Sequence, residues 1–372
     1  MNKSDVIGLF SASYGQARAK FMRAAALRAL PVRSFVLPVE GASGETLATD
    51  VVIDGPMDAT SLLIVISGVH GVEGYCGSAI QTGLLSLGLP EHVRADGSVA
   101  VLHVHAVNPY GFSHSRRVTQ ENVDLNRNFI DFSARLPANA GYASIHELLL
   151  PNIWPPRSEN EDELAAYADR VSERGLQRAL SMGQYAFEDG LFFGGTEPTW
   201  SNRTFRRILR EFAIGREHIA SIDIHTGLGP YGFGERIFAC PEDPVVLERA
   251  RKWWGDLTSV VTGTSTSIPL TGPIQTAFSE ECPKALQTHI CLEYGTFPKA
   301  QVQTALRAEH WLHRFGSADA SQRASIKQAL KDAFYPNADD WKVPIWQQAR
   351  EAYLQALDGL KSTLIPAAHE VA

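Results

Sequence analysis

Short apolar runs punctuate the chain at Leu62 to Ile66, Val99 to Val107, Ile219 to Ile224, Ile237 to Cys240 and His289 to Leu292. Runs without polar alternation read as strands covered on both faces. Helical spacing fills the intervals: residues 15 to 30 (GQARAKFMRAAALRAL), stopped by Pro31, then Gly77 to Leu87, Glu161 to Leu180, Thr204 to Phe212, Pro244 to Leu257 and Ala300 to Phe315. The alternation predicts an α/β fold, a three-layer αβα sandwich around a mixed, largely parallel sheet. Residues 131 to 215 break the rhythm with Pro, Trp and acidic residues (PNIWPPRSENEDE), a polar helix and the Gly-rich stretch GLFFGGTEPTWSN. With no strand pattern of its own, this segment reads as an insertion or lid within a main domain 1–316. Beyond Ser317 the pattern is purely helical, which predicts a C-terminal extension, 317–372, docked through Trp341, Pro344, Trp346 and Tyr353. No internal repeat or low-complexity tract appears.

Composition narrows the function. The 372 residues are 44% hydrophobic and 20% charged, which excludes disorder as the main state. Thirty-four Lys and Arg against 41 Asp and Glu leave a net charge of −7, so no basic field recommends nucleic acid or an anionic membrane as partner. A small molecule or peptide fits better, and the sequence is silent on oligomeric state. The four cysteines show no Cys-x-x-Cys spacing and read as reduced thiols. Charges interrupt the first thirty residues, and no stretch reaches the roughly 18 apolar residues of a membrane span. A cytoplasmic location is the expectation.

Ligands in open α/β sheets bind beyond the carboxyl ends of the strands, so the residues following the apolar runs are the candidates for chemistry. The first run exits into Ser67-Gly68-Val69-His70-Gly71-Val72-Glu73, and the second leads to Arg116-Arg117 and Asp124-Leu125-Asn126-Arg127-Asn128-Phe129. The run containing Asp223 exits into His225-Thr226-Gly227, and the last into Glu293-Tyr294-Gly295. His70 and Glu73 stand three apart on a glycine-flanked turn entering a helix, which puts both side chains on one face. Alone, that pair equally describes an exposed histidine and a capping glutamate. With His225 it becomes a two-histidine, one-carboxylate set suited to one Zn²⁺ with a fourth position open for water. Zinc lowers the pKa of such a water to about 7. Amide hydrolysis further needs a base and a cation for the oxyanion, for which Glu293 and Arg117 are the candidates. Asn126 and Arg127 pair an amide donor with a planar fork suited to a substrate carboxylate. Arg116 is either a second anion-binding group or a solvated side chain.

The ordered set His70-x-x-Glu73, Arg117, Asp124 to Phe129, His225 and Glu293 resembles the zinc carboxypeptidase superfamily, which also contains succinylglutamate desuccinylase and aspartoacylase. The resemblance spans about residues 60 to 315 and includes the nine-residue step from Arg117 to Asn126. It implies a zinc-peptidase-like fold with His70, Glu73 and His225 as ligands of one zinc ion and Glu293 as general base. It further implies that Arg117 polarises the scissile carbonyl, Asn126 and Arg127 grip a terminal carboxylate, and Asp124 hydrogen-bonds His70. Thr119 stands where peptidase members often have Asn, while Asp223-Ile224-His225-Thr226 and Glu293-Tyr294-Gly295 look more like the deacylase branch. Carboxypeptidase and N-acyl-amino-acid deacylase therefore both stay open. Tyr231 and Tyr185 are the candidates for a tyrosine brought over the substrate.

Other features lead elsewhere. Gly227 to Gly232 spells G-x-G-x-x-G after a strand, but residues 233 to 241 read as another strand and not as the helix a dinucleotide site requires. No G-x-S-x-G elbow occurs. His103 and His105 read as core residues on one sheet face, His114 as an exposed loop histidine, and Cys76 as a small packing residue. The expectation is a metallohydrolase cleaving an amide bond beside a free carboxylate. A non-catalytic zinc-binding module is the reading from a different class, and Glu293 and Arg117 argue against it.

Overall fold

In strand β3 (Ser61–Ile66), Leu63 and Val65 belong to one hydrophobic cluster while Leu62, Ile64 and Ile66 belong to another, as the two-residue period of a strand dictates. The strand therefore needs a helical layer on each side, and the computed structural model, which describes residues 1–364, supplies both. On the first face pack the helices Tyr14–Leu27, Gly74–Leu87, Pro244–Trp254 and Asp339–Leu364. On the second lie Trp200–Phe212 and the short Thr276–Glu281. A third cluster joins Lys299–Phe315 and Ala320–Phe334 to residues between Tyr142 and Phe192. The expected three-layer αβα arrangement is present.

The remaining strands are β1 (Val32–Glu40), β2 (Thr46–Asp54), β4 (Val99–His105), β5 (His218–Tyr231), β6 (Gly234–Phe238) and β7 (Leu286–Gly295), in sheet order β1-β2-β4-β3-β5-β7-β6. The expectation of a largely parallel sheet needs correction. The pairs β4–β3, β3–β5 and β5–β7 are parallel, but β1–β2, β2–β4 and β6–β7 are antiparallel, so the sheet is mixed, parallel at its centre and antiparallel toward both edges. The hairpin β1–β2 escapes an apolar-run criterion because its strands carry polar residues. β1 buries only Phe35 and Leu37, as an edge strand does. β2 buries Asp50 and Asp54, which accept from Arg18 and Arg28 of the helix Tyr14–Leu27 and its end.

The helix expected over Glu161 to Leu180 is two helices, Ser158–Val171 and Glu173–Ser181. Ser172 between them has φ +70°, and its hydroxyl accepts from the N–H of Gly175, capping the second helix. Within the segment 131–215, Trp200–Phe212 is part of the sheet's own cover, since Phe205, Ile208 and Leu209 pack on the strands. Asp339–Leu364 is equally integral: Trp341, Ile345, Trp346, Tyr353 and Leu360 are all in the main core. The last eight residues of the expected extension, 365–372, lie outside the described residues. Among the described residues no helix is long and apolar enough to cross a membrane.

One buried ion pair ties the outer helices to the strand-end loops. Arg116 Nε donates to Glu309 Oε1 at 2.7 Å, each side chain 2% exposed, and Lys327 Nζ donates to the same oxygen. Burial alone would raise the Glu309 carboxyl, but Arg116 and Lys327 outweigh it and hold the group at about 2. Its stabilisation is therefore complete above the ordinary glutamate range near pH 4.5 and is lost as pH falls toward 2. Glu309→Gln strands the Arg116 charge, and a loss of about 3–5 kcal/mol is expected in urea unfolding at pH 7. The gap to wild type should narrow below pH 4; a gap that stays constant from pH 7 to pH 3 contradicts the ionic origin.

Candidate metal centre

The centre begins where β3 ends. Gly68, with φ +66°, turns the chain out of the strand, and its carbonyl accepts from the N–H of Asn108 beyond β4. Gly71 then passes so close to Gly111 that a Cβ would lie 2.0 Å from its carbonyl carbon. Only glycine permits that approach. The N–H groups of Gly71 and Val72 donate to the carbonyls of Arg117 and Arg116, at 3.0 and 2.8 Å, fixing a single turn of tight helix, Gly71–Glu73. His70 and Glu73 bracket this turn and face the same side, toward β5.

His225 meets them from β5. Its Nδ1 is 2.9 Å from Glu73 Oε2 and 3.2 Å from His70 Nδ1, and His70 Nδ1 is 2.9 Å from Glu73 Oε1. Four-coordinate zinc with bonds of about 2.0–2.1 Å has ligand–ligand edges of about 3.3 Å, so these separations suit a tetrahedral site with small adjustment. All three side chains are buried. The donor set, two imidazole nitrogens and one carboxylate, fits a borderline divalent ion such as zinc.

Each histidine turns its other nitrogen to an aspartate. His70 Nε2 is 3.0 Å from Asp124 Oδ1, and His225 Nε2 is 2.8 Å from Asp223 Oδ2. Such carboxylates fix the tautomer that leaves the opposite nitrogen free for a metal and raise its basicity. The electrostatics point the same way. Burial disfavours a charge on His225, yet Asp223 and Glu73 outweigh it and push the imidazole well above its usual range. The centre favours positive charge.

Glu293 is the register partner of His225 across β5 and β7, and its Oε1 accepts from the N–H of Leu228 at 3.0 Å. Burial, reinforced by the charge of Glu73, pushes its carboxyl up to about 8. A dication beside Glu73 would offset that repulsion and draw the value down. Arg117 lies across the ligands: its Nη1 donates to Glu73 Oε1 at 3.0 Å and its Nε to Asp124 Oδ2 at 2.9 Å.

These groups line a cavity of about 520 Å³, which Asn126 and Arg127 also line. The carbonyl of the Asn126 side chain accepts from the N–H of Ile274, and its amide nitrogen has no partner among the described residues. Arg127 donates to the backbone carbonyls of Ser181 and Asn126. Arg116 and Tyr231, the other two candidates for substrate contact, stand apart from this cavity. Arg116 points away into its pair with Glu309, and Tyr231 is 44% exposed with its hydroxyl on Asp340. Tyr185 donates to the carbonyl of Arg127 at 2.6 Å and so supports that loop from behind. His103 and His105 are core residues, and Cys76 packs in the main cluster.

A family profile described as "Protein of unknown function (DUF2817)" matches residues 10–348. The chain belongs to the DUF2817 family. Among functionally curated proteins none matches it. Similar solved structures include bovine thrombin-activatable fibrinolysis inhibitor in complex with tick carboxypeptidase inhibitor, at 11% identity and TM-score 0.49, covering 95% of this chain and 98% of that one. Carboxypeptidase A from Helicoverpa armigera is similar at 13% identity and TM-score 0.46, covering 93% and 73%. A succinylglutamate desuccinylase from Silicibacter is similar at 15% identity and TM-score 0.37, covering 82% and 65%.

The residue of this DUF2817 chain that strand-end reasoning passed over is Asp223. Its signal is present in the sequence, because Asp223 and His225 stand two apart on one strand and must share a face. Gln275 Nε2 also donates to Asp223 Oδ2, at 3.1 Å, holding the carboxylate in place. Asp223→Asn should leave the fold intact and weaken zinc binding about tenfold to a hundredfold, measured by competition with a chromophoric chelator. Unchanged affinity would remove Asp223 from the site.

Proposed function

We propose that this protein is a zinc-dependent hydrolase that cleaves an amide bond beside a free carboxylate in a peptide or small molecule, in the manner of a carboxypeptidase. The observation that carries the reading is the convergence of three ligand atoms, one buried glutamate and two guanidinium groups on a single cavity. When bound, the ion supplies Lewis acidity and an activated water.

The protein's own residues supply the rest. Arg127, with Asn126 beside it, binds the substrate carboxylate: the guanidinium is buried, bonded to neutral carbonyls, and 3.7 Å from Asp124, its nearest carboxylate. Arg117, fixed by Glu73 and Asp124, holds its fork over the ligands, where it donates to the developing oxyanion. Glu293 takes the proton of the attacking water on a carboxylate oxygen and delivers it to the leaving nitrogen. Burial makes its carboxylate a better base, and a dication beside Glu73 would keep it ionised and so able to accept the proton.

An N-acyl-amino-acid deacylase is the second reading, favoured by the runs Asp223 to Thr226 and Glu293 to Gly295. It uses the same groups and differs in the acyl portion of the substrate. The four free cysteines support the cytoplasm as the compartment.

Glu293→Gln keeps the shape but cannot accept the proton. It should bind zinc stoichiometrically and lose about 10²- to 10⁴-fold in kcat against N-acyl dipeptides and N-acyl amino acids. Loss of zinc together with activity means that Glu293 is a ligand and not the base. Arg127→Lys keeps the charge without the fork, so KM should rise about tenfold or more while kcat changes little. A pure kcat effect contradicts the carboxylate-binding role.

A further inference from the structure

Among the described residues six non-glycine positions have a positive φ, and of these Phe192, at +55°, alone carries an aromatic ring and alone lines the cavity. A bulky L-residue adopts that conformation only at a cost, and such strain gathers where function requires a side chain to be aimed. The ring is aimed at two cations. The guanidinium carbons of Arg117 and Arg127 each lie 5.4 Å from its centroid.

The loop that delivers the ring is built on Gln184, whose side chain is buried. Its Oε1 accepts from the N–H groups of Ala186 and Phe187, and its Nε2 donates to the carbonyls of Phe187 and Leu191. The Gln184 N–H donates to the Phe192 carbonyl at 3.2 Å, and the Gly194 N–H returns to the Gln184 carbonyl at 2.8 Å. The next carbonyl, of Phe193, accepts from the N–H of Asp124 at 2.8 Å. The strained residue is thus tied on one side to Gln184 and on the other to the turn that leads into Asn126 and Arg127.

Arg117 and Arg127 are both largely buried and of like charge, so each disfavours the other. An aromatic face, negative at its centre, attracts both cations while offering neither of them a full charge. A carboxylate in the same place would neutralise Arg127 and leave it nothing to offer an incoming anion. Freed from the ring, the Arg127 guanidinium has Asp124 at 3.7 Å from Nη1 to turn toward.

We infer that Phe192 is a positioning residue whose π face sets the orientation of both guanidinium groups in the cavity and so keeps Arg127 open to an anion. The inference rests on the hydrolase reading for the identity of that anion as a substrate carboxylate.

Calorimetric titration of the zinc-loaded protein with N-acetylalanine as the probe carboxylate tests this. Phe192→Leu keeps an apolar side chain without a π face, and it should weaken binding about tenfold with zinc content unchanged. Replacing Phe192 by phenylalanine bearing one, two and three ring fluorines drains the face of the ring while nearly keeping its shape. Affinity should then fall stepwise with each fluorine. Should the leucine variant fail to fold, the fluorinated series, checked by circular dichroism, decides alone. Affinity that does not respond to fluorination, or no binding of the probe by the wild type, overturns the inference. If affinity follows the fluorines while neither N-acyl dipeptides nor N-acyl amino acids are hydrolysed, the inference stands and the hydrolase reading fails.

Discussion

Four buried carboxylates, on Glu73, Asp124, Asp223 and Glu293, lie around two imidazoles, and this concentration of negative charge is the constraint on which the rest depends. Unpaired, such groups would cost several kcal/mol each to bury. Asp124 is held well below the usual carboxylate range despite burial, mainly by Arg117 and Arg127. Glu73 is likewise held low, by His70 and His225. Glu293 lacks such a partner and is displaced upward. The imbalance is local: two carboxylates orient the histidines, one joins them facing the interior, and Glu293 has no bonded cation of its own. A divalent cation held by His70, Glu73 and His225 would offset the charge of Glu73 and with it the repulsion that displaces Glu293.

The mixed sheet makes that concentration reachable. His70 and His225 are 155 residues apart in sequence, yet β3 and β5 are parallel neighbours, and so their exits lie at the same edge. The pairing of β5 with β7 sets Glu293 beside His225 at one register step. The antiparallel strands take no part in ligation. β1 and β2 close one edge, and β6 extends the other far enough to give the cavity a floor. A fully parallel sheet would need another crossover in place of β6, and residues 258–270 would lose the strand from which Glu235 reaches Thr258 and Thr266.

What the sequence made legible depends on how each feature is encoded. His70, Glu73, His225 and Glu293 sit at the ends of apolar runs, where local pattern and fold-level rule agree, and the structure brings them together. Asp223 lies inside such a run and reads as an exception to it until its two-residue offset from His225 is used. The β1–β2 hairpin was hidden because Asp50 and Asp54 are buried through pairing with Arg18 and Arg28, a tertiary compensation that no periodicity records. The stretch 258–270, which lines the cavity beside β6, was equally hidden. Its shape depends on Glu235 reaching Thr258 and Thr266, and the sequence there, TSVVTGTSTSIPL, scatters a few apolar residues among Ser, Thr and Gly without a helix or strand period.

The three arginines at 116, 117 and 127 show why residue type alone could not settle their roles. All three guanidinium groups are largely withdrawn from water, so each must answer for the cost of a buried charge. Arg116 answers it with Glu309, turned away from the cavity, and its charge has no remaining work to do at the site. Arg117 answers it with Glu73 and Asp124, which fixes its fork against the metal ligands. Arg127 has only carbonyl oxygens within bonding distance among the described residues, stacks over Phe192 with Arg117 on the same ring, and has Asp124 no nearer than 3.7 Å. Burial makes its charge costly and Asp124 offsets part of that. Of the three it alone lines the cavity without a carboxylate bonded to it, which leaves it the one best placed for a carboxylate arriving there.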